Sequence, residues 1–383
     1  MQKHKKYMLQ AINLAKKAAL RNTNNLLVGC VIVKNNKIIG KGYYDSLVNK
    51  NHAEVTAINT STESIEGSSV YVTLEPCSHS GKTPPCVNIL IAKKVKEIII
   101  PFKDPNPLVN GNGISKLKAA GINVITGVLT KECWDLNEEF LYYQIKKLPL
   151  ITAKWASSLD GKLSTYSNNS KWISSARARK EAHVLRNNHA AILIGANTLL
   201  LDNPLLNVRY NLTSYKNPIR IILANDTNLN TKAQLWHDNS AQNWLLVPSA
   251  NYKEDNNISY LKKLGVTIIT LPNNNNGIIT FTNIIKELGA RGVSSLLIEG
   301  GASTLSYALE SRLVNKIELF IAPLILGGKA TTANFINNSF NTVKGAEKYK
   351  TLCYKLLGNT LWLKLLSQRY IKIKQNCIKS LQE

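Results

Sequence analysis

The sequence lacks any run approaching the roughly 18 uncharged apolar residues that a membrane-spanning helix needs. Its opening, Met1, Gln2, Lys3, His4, Lys5 and Lys6, leads into an amphipathic stretch rather than the apolar segment of a signal peptide. A cytoplasmic protein with no membrane partner is the expectation. Cysteine is sparse: Cys30, Cys77, Cys86, Cys133, Cys353 and Cys377 are the 6 thiols in 383 residues, too few and too irregular for a disulfide scaffold. They are read as ligands or buried thiols. Acidic residues are also scarce, 24 against 48 Lys and Arg, which leaves a net charge of +24. Clustered cations would point to nucleic acid, but these are spread along the chain, and Lys and Asn recur where no periodicity calls for them, as at 273–276. Dispersal of this kind argues against a nucleic-acid partner and suits an anionic small substrate.

At 383 residues the chain exceeds the roughly 100 to 200 of one domain, so two domains are expected. The first 147 residues alternate helical and strand patterns as a small α/β domain does. A helix is predicted over 7–19, strands over 28–33 and 37–44 joined at Asn35 and Asn36, and a short helix from near His52. Strand 69–74, helix 86–94, strand 96–102, helix 113–120 and strand 122–128 follow. The pattern restarts near Leu148 and Pro149 with a strand over 150–156. Further strands are predicted at 191–194, 219–223, 244–247, 266–271, 296–298 and 317–321, with helices at 174–187, 282–288 and 303–313. Such alternation implies a largely parallel sheet covered on both faces. The expected division is therefore 1–147, 148–366 and a basic extension over 367–383 that frays or packs loosely from Arg369 onward.

The chemistry concentrates in His52, Ala53 and Glu54, followed by Pro76, Cys77 and then Cys86. Alone, His52 reads as a helix-start histidine satisfied locally, and each Cys as an inert buried thiol. In this order and company they supply one imidazole, two thiolates and a spare carboxylate, a set that suits zinc. Three protein ligands leave a fourth tetrahedral position for water, which separates a catalytic site from a closed structural one. Two thiolates cancel the charge of the metal, so the water needs a base, and Glu54 is near enough to act without competing as a ligand. It can take the proton as the water attacks an amidine-like ring carbon, then pass it to departing ammonia. This is the nucleobase-deaminase arrangement of His-x-Glu, then Pro-Cys, then a second Cys.

The run Tyr71 to Cys86, with eight residues between its two cysteines, resembles the deaminase domain of the bifunctional riboflavin biosynthesis deaminase-reductase family. Cytidine deaminases and tRNA adenosine deaminases have only two residues in that gap. Asp104, Pro105, Asn106 and Pro107 with Gly111 to Gly113 resemble the family's substrate loop, and the resemblance implies that Asn25, Lys82, Asp104 and Asn106 contact a diamino-ribosylamino-pyrimidinone 5′-phosphate. In the second half Lys154, Ser157 to Lys162, Ser170 to Ile173, Gly195 to Thr198, Asp202 to Pro204, Glu299 to Gly301 and Ala322 to Gly328 follow in the family's order. The implied fold is an N-terminal cytidine-deaminase-like three-layer domain and a C-terminal dihydrofolate-reductase-like domain. The implied cofactors are one zinc ion per chain and NADPH, which turns the ribosyl group into ribityl. By the same resemblance Ser170, Arg186, Leu206, Arg209 and Glu299 hold the reductase substrate, and Ala156, Trp172, Thr198, Asp202, Gly300 and Gly301 the cofactor. Read unaided, Glu299, Gly300 and Gly301 make a turn in which glycine lets backbone approach an anion at a helix start, and Arg186 and Arg209 could clamp a phosphate.

Two positions depart from the family pattern. Asn24 and Leu26 replace the prolines that usually flank the Asn25 position, and Tyr43 and Tyr44 stand where a substrate-contacting histidine is common. Tyr44 can stack or hydrogen-bond but cannot carry a proton near neutral pH. Two other readings stay open. One is a nucleic-acid base deaminase with an accessory domain; the other is a non-enzymatic nucleic-acid-binding protein with structural zinc, for which His79 is the nearby fourth ligand. The sequence leaves a homo-oligomer open.

Overall fold

The computed structural model describes residues 2–19, 26–44, 51–79, 84–167, 169–209, 216–274, 277–328 and 342–383. The chain forms two compact units, Met1–Lys146 with Ile373–Glu383, and Lys147–Lys372. Among the described residues no helix is long and apolar enough to cross a membrane.

In the first unit, helix α1 (Gln2–Ala19) buries Met8, Ala11, Ile12 and Ala15, a spacing that lines one face. Strands β1 (Gly29–Lys34) and β2 (Lys37–Tyr43) form a hairpin turned by Asn35 and Asn36 at φ 49° and 63°, left-handed values that asparagine tolerates. After α2 (Ala53–Asn59) come β3 (Ser69–Val72), α3 (Cys86–Ala92), β4 (Glu97–Ile99), α4 (Asn112–Ala119) and β5 (Asn123–Ile125). The sheet order is β2-β1-β3-β4-β5, antiparallel at the hairpin side and parallel from β3 to β5. Cys30 and Ile32 face a core shared with Ala53, Ala57, Val87, Leu90 and Leu117 of α2, α3 and α4. The alternate residue Gly29 faces α1, so closely that a Cβ there would lie 2.0 Å from the Ala11 carbonyl oxygen. Alternation along one strand thus yields helix, sheet and helix layers. Gly42 does for α2 what Gly29 does for α1: a Cβ would sit 2.2 Å from the Ala53 oxygen, so only glycine lets the start of α2 press onto β2. Helices α5 (Thr130–Leu136) and α6 (Glu138–Lys146), not foreseen from the sequence, end this run.

The second unit runs β6 (Leu150–Ser157), α7 (Ala176–Asn187), β7 (Ala191–Gly195), α8 (Ala196–Asp202), β8 (Ile219–Leu223), α9 (Gln234–His237), β9 (Asn243–Pro248), α10 (Asn256–Lys263), β10 (Thr267–Leu271), α11 (Phe281–Ala290), β11 (Ser295–Ile298), α12 (Ala302–Glu310), β12 (Lys316–Ile321), β13 (Tyr349–Leu357) and β14 (Thr360–Ser367). The sheet order is β10-β9-β8-β7-β11-β6-β12-β14-β13. Pairing is parallel from β10 to β12, then antiparallel through β14 and β13. Both faces are covered, as the apolar strands require. Leu193, Ile221 and Leu246 join α11 and α12 in one core, while Ile192, Ile222 and Leu245 join α7, α8 and α10 in the other. The chain winds outward from β7 to β10 and then returns to insert β11 between β7 and β6. The carboxyl ends of β7 and β11 therefore flank the point where strand order reverses, the usual ligand crevice of such sheets.

Two segments differ from expectation. The terminal hairpin β13 and β14 was not foreseen, because β13 is an edge strand exposed along most of its length and lacks a buried alternation. Residues 369–383, expected to fray, instead form α13 (Gln368–Gln382), which buries Tyr370, Lys374, Cys377 and Leu381. That spacing is helical, and the buried Lys374 is matched by Asp135 and by Glu138 at 3.1 Å. Leu381 also accepts a hydrogen bond from the Lys103 backbone N–H at 3.0 Å.

Candidate functional site

In the first unit three chain segments converge. His52 caps α2 in an extended conformation, Cys77 lies in the loop after β3, and Cys86 opens α3. Their ligand atoms lie within 4.8 Å of one another, with His52 Nδ1 3.2 Å from Cys86 Sγ and 3.4 Å from Cys77 Sγ. Tetrahedral zinc, with bonds of about 2.0 and 2.3 Å to nitrogen and sulfur, would hold such atoms about 3.5 Å apart. The donor set and its spacing therefore fit the metal. A hydrogen bond from the Cys86 thiol lowers the Cys77 thiol to about 4, and the same shared bond with burial pushes Cys86 well up. One thiolate is thus ready and the other proton is what a cation displaces. Among the described residues no fourth His, Cys, Asp or Glu joins this group, and His79 lies on the wall of the adjacent cavity instead.

Glu54, in the first turn of α2, is only 4% exposed, and burial pushes its carboxyl up to about 7. It opens onto a cavity of about 420 Å³ whose wall also carries Tyr44, His79, Asp104 and Asn106. The Tyr44 ring meets the His52 ring edge-on at 5.9 Å. Asp104 is buried, which raises its carboxyl to about 6, and its Oδ1 accepts the Asn106 N–H at 2.8 Å. The structure thus brings Asp104 and Asn106 to the metal ligands, while Asn25 and Lys82 lie outside the described residues.

The second unit centres on Glu299, at the end of β11. Arg186 grips its carboxylate through two 2.9 Å hydrogen bonds, Nε to Oε1 and one terminal nitrogen to Oε2, and Lys154 Nζ lies 3.5 Å away. Burial alone would raise this carboxyl, but Arg186 and then Lys154 hold it down at about 2. Arg186 also donates to the Asn207 carbonyl at 3.3 Å, so its guanidinium is engaged by Glu299 and Asn207 at the wall of the cavity. His183 accepts the Arg209 backbone N–H at 3.1 Å, and burial together with the charges of Arg186 and Arg209 lowers it to about 4. The Arg209 side chain is exposed at the rim.

A cavity of about 310 Å³ joins Glu299, Arg186, Arg209 and Ser170 with Ala156, Trp172, Asp202 and Gly300. A second, of about 490 Å³, opens at the carboxyl ends of β7, β8 and β9 against the start of α12, and shares Thr198 and Gly301 with the first. Thr198 Oγ1 accepts the Gly301 N–H at 3.0 Å, tying α8 to α12. Leu206 is not on either wall; it is buried in the α7 core with φ 51°.

Both units have counterparts in known proteins. Residues 149–351 match the RibD C-terminal domain family, and residues 1–101 match the cytidine and deoxycytidylate deaminase zinc-binding region. The riboflavin biosynthesis protein RibD of Aquifex aeolicus is 41% identical over 323 residues, 84% of this chain and 88% of that protein. The chain belongs to the RibD family. The Escherichia coli member is 34% identical over 85% of this chain and 89% of its own. Among solved structures, Acinetobacter baumannii RibD covers 96% of this chain and 99% of its own at a TM-score of 0.83 and 32% identity. A Thermotoga maritima diaminohydroxyphosphoribosylaminopyrimidine deaminase/5-amino-6-(5-phosphoribosylamino)uracil reductase gives 0.79 and 31% over the same shares. The protein is accordingly a bifunctional enzyme of riboflavin biosynthesis, combining a zinc-binding deaminase domain with a RibD-type reductase domain. A nucleic-acid base deaminase with an accessory domain is not favoured, because the RibD match runs through both halves.

Sequence reasoning missed several contributors. Lys154 was noted only as part of a motif, His183 not at all, and His79 only as a spare ligand. Glu75 was quoted within its run but given no task. A carboxylate two residues before a metal-ligating Cys was the available signal.

Proposed function

We propose that the first unit deaminates 2,5-diamino-6-ribosylamino-4(3H)-pyrimidinone 5′-phosphate and that the second reduces the ribosyl side chain of the product to ribityl with NADPH. The observation that carries the first assignment is the convergence of His52, Cys77 and Cys86 beside a buried carboxyl, Glu54, on one cavity with Asp104 and Asn106. His52, Cys77 and Cys86 would hold zinc, which when bound is a Lewis acid that makes water nucleophilic near neutral pH. Glu54 takes the proton of the attacking water and returns it to the leaving ammonia, a task suited to a carboxyl poised near the working pH. Asp104 and Asn106, with Asn25 and Lys82, hold the pyrimidine nucleotide.

In the second unit the larger cavity suits the cofactor, since it lies at the carboxyl ends of parallel strands and meets the N-terminus of α12 at Gly301, where backbone N–H groups favour phosphate. Ala156, Trp172, Thr198, Asp202, Gly300 and Gly301 would line its path into the smaller cavity, and when bound it supplies a hydride. Glu299, fixed by Arg186 and Lys154, accepts hydrogen bonds from the sugar hydroxyls, with Ser170 on the same cavity wall. Arg209, exposed at the rim, meets the phosphate. The pathway chemistry supports a cytoplasmic enzyme of small molecules. The deciding experiment follows the mass of the diamino nucleotide incubated with protein, zinc and NADPH. Exchange of an amino group for a carbonyl oxygen, followed by gain of two hydrogens only when NADPH is present, is expected; an unchanged mass removes the proposal.

A further inference from the structure

Glu75 is 4% exposed, lies two residues before Cys77, and makes no contact with the proposed metal ligands that would explain its charge. Its carboxylate instead receives three backbone N–H groups. Oε2 accepts from Asp104 at 2.8 Å and from Gly111 at 3.0 Å, and Oε1 accepts from Ile114 at 3.1 Å. Two of these donors belong to the start of α4, whose cap position, Gly111, offers no side-chain acceptor. The first N–H groups of a helix have no partner within it and carry the positive end of its dipole, so a buried carboxylate is well matched to them. The third donor is the backbone of Asp104 itself. Gly113 completes the fit: a Cβ there would lie 2.5 Å from the Pro76 oxygen and 2.9 Å from Glu75 Oε1. Lys116 of α4 adds a 3.0 Å hydrogen bond to the Ser78 carbonyl on the far side of Cys77. The loop carrying Cys77 and the loop carrying Asp104 and Asn106 are therefore fastened together through one side chain.

We infer that Glu75 is a positioning residue of the deaminase, which sets Asp104 and Asn106 at the correct distance from the metal ligands and so governs nucleotide binding. The inference rests on the proposed deaminase reading, in which Asp104 and Asn106 contact the substrate. Glu75 shares the wall of the deaminase cavity, but both of its carboxylate oxygens are taken by backbone N–H groups, and it acts by fixing the backbone that presents Asp104. A carboxylate accepts from three donors at once, whereas an amide of the same size turns its own donor toward at least one of them, so Glu75→Gln should splay the loops without emptying the core.

The test uses the full-length zinc enzyme and the diamino pyrimidine nucleotide. Glu75→Gln should keep one zinc per chain and an unaltered reductase rate, while KM for deamination rises at least tenfold and kcat changes less than threefold. Asp104→Asn should then add little to Glu75→Gln, since both act through the same contact. An unchanged KM accompanied only by a lower melting temperature would make Glu75 a structural cap and overturn the inference, as would loss of zinc from Glu75→Gln. If that variant does not fold, Gly113→Ala, which crowds the carboxylate from the helix side, carries the same KM criterion. Failure of the unsubstituted enzyme to deaminate the nucleotide would instead sink the deaminase reading, so the two outcomes are distinct.

Discussion

Glu54 and Glu299 are both buried carboxylates at the centre of a site, yet their surroundings drive them in opposite directions. At Glu54 desolvation outweighs the neighbouring His52, and its carboxyl rises to about 7. Glu299 is held by Arg186 and Lys154 and falls to about 2. Burial alone decides nothing; the partner does. The first group is suited to carry a proton through a reaction at neutral pH. The second remains a fixed negative charge, able to orient hydroxyl groups but not to titrate.

The sharpest way to break the comparison is to remove the metal from one side only. Cys77→Ser should abolish zinc binding and all deamination while reduction of the deaminated nucleotide continues, as metal analysis and the two separate assays would report. Next in size is Glu54→Gln, which should retain zinc but lose about 10²- to 10⁴-fold in deamination rate, the usual contribution of a general acid-base group; a rate within threefold of the parent would take Glu54 out of the mechanism. Glu299→Gln should behave otherwise, costing stability as well as reduction. It leaves Arg186 and Lys154 as buried cations without a counter-charge, a loss of about 3 to 5 kcal/mol readable as a lower melting temperature of the second unit. Because the Glu299 carboxyl is depressed in the folded state, its contribution is present above the ordinary carboxylate range near 4.5 and disappears as pH falls toward 2. The smallest effect is expected at the rim. Arg209→Ala should raise KM for the nucleotide by the equivalent of about 1.5 to 3 kcal/mol and leave KM for NADPH nearly unchanged. The reverse pattern would exchange the assigned substrate and cofactor ends of the cavity.

How much of this was legible in advance depended on the distance over which each group finds its partner. The zinc set was readable because His52, Glu54, Cys77 and Cys86 announce themselves by residue type and order within a short stretch. The sheet of the second unit was readable because β7, β8 and β9 are buried on both faces and, Arg220 and Asn243 apart, apolar. The pairing of Arg186 with Glu299 was not legible, because the two lie 113 positions apart. Glu75 signals only by standing two residues before Cys77, since what it binds is backbone N–H, which every non-proline residue has. Lys374 looked like a solvated charge on a frayed tail, and only the carboxylates of Asp135 and Glu138, contributed from 239 and 236 residues earlier, let that face of α13 turn inward.

The placement of α13 bears on how the protein is made. Residues Ile373–Glu383 belong to the first unit, yet the ribosome delivers them only after the whole of Lys147–Lys372. At roughly 5 to 20 residues per second that gap lasts on the order of ten to forty-five seconds. During translation the deaminase unit waits in an incomplete form, with the Lys103 N–H and the carboxylates of Asp135 and Glu138 not yet met by α13. A gene truncated at Lys146 would fix that interim form permanently, so a free-standing deaminase fragment needs Ile373–Glu383 supplied as a separate peptide or spliced directly onto α6.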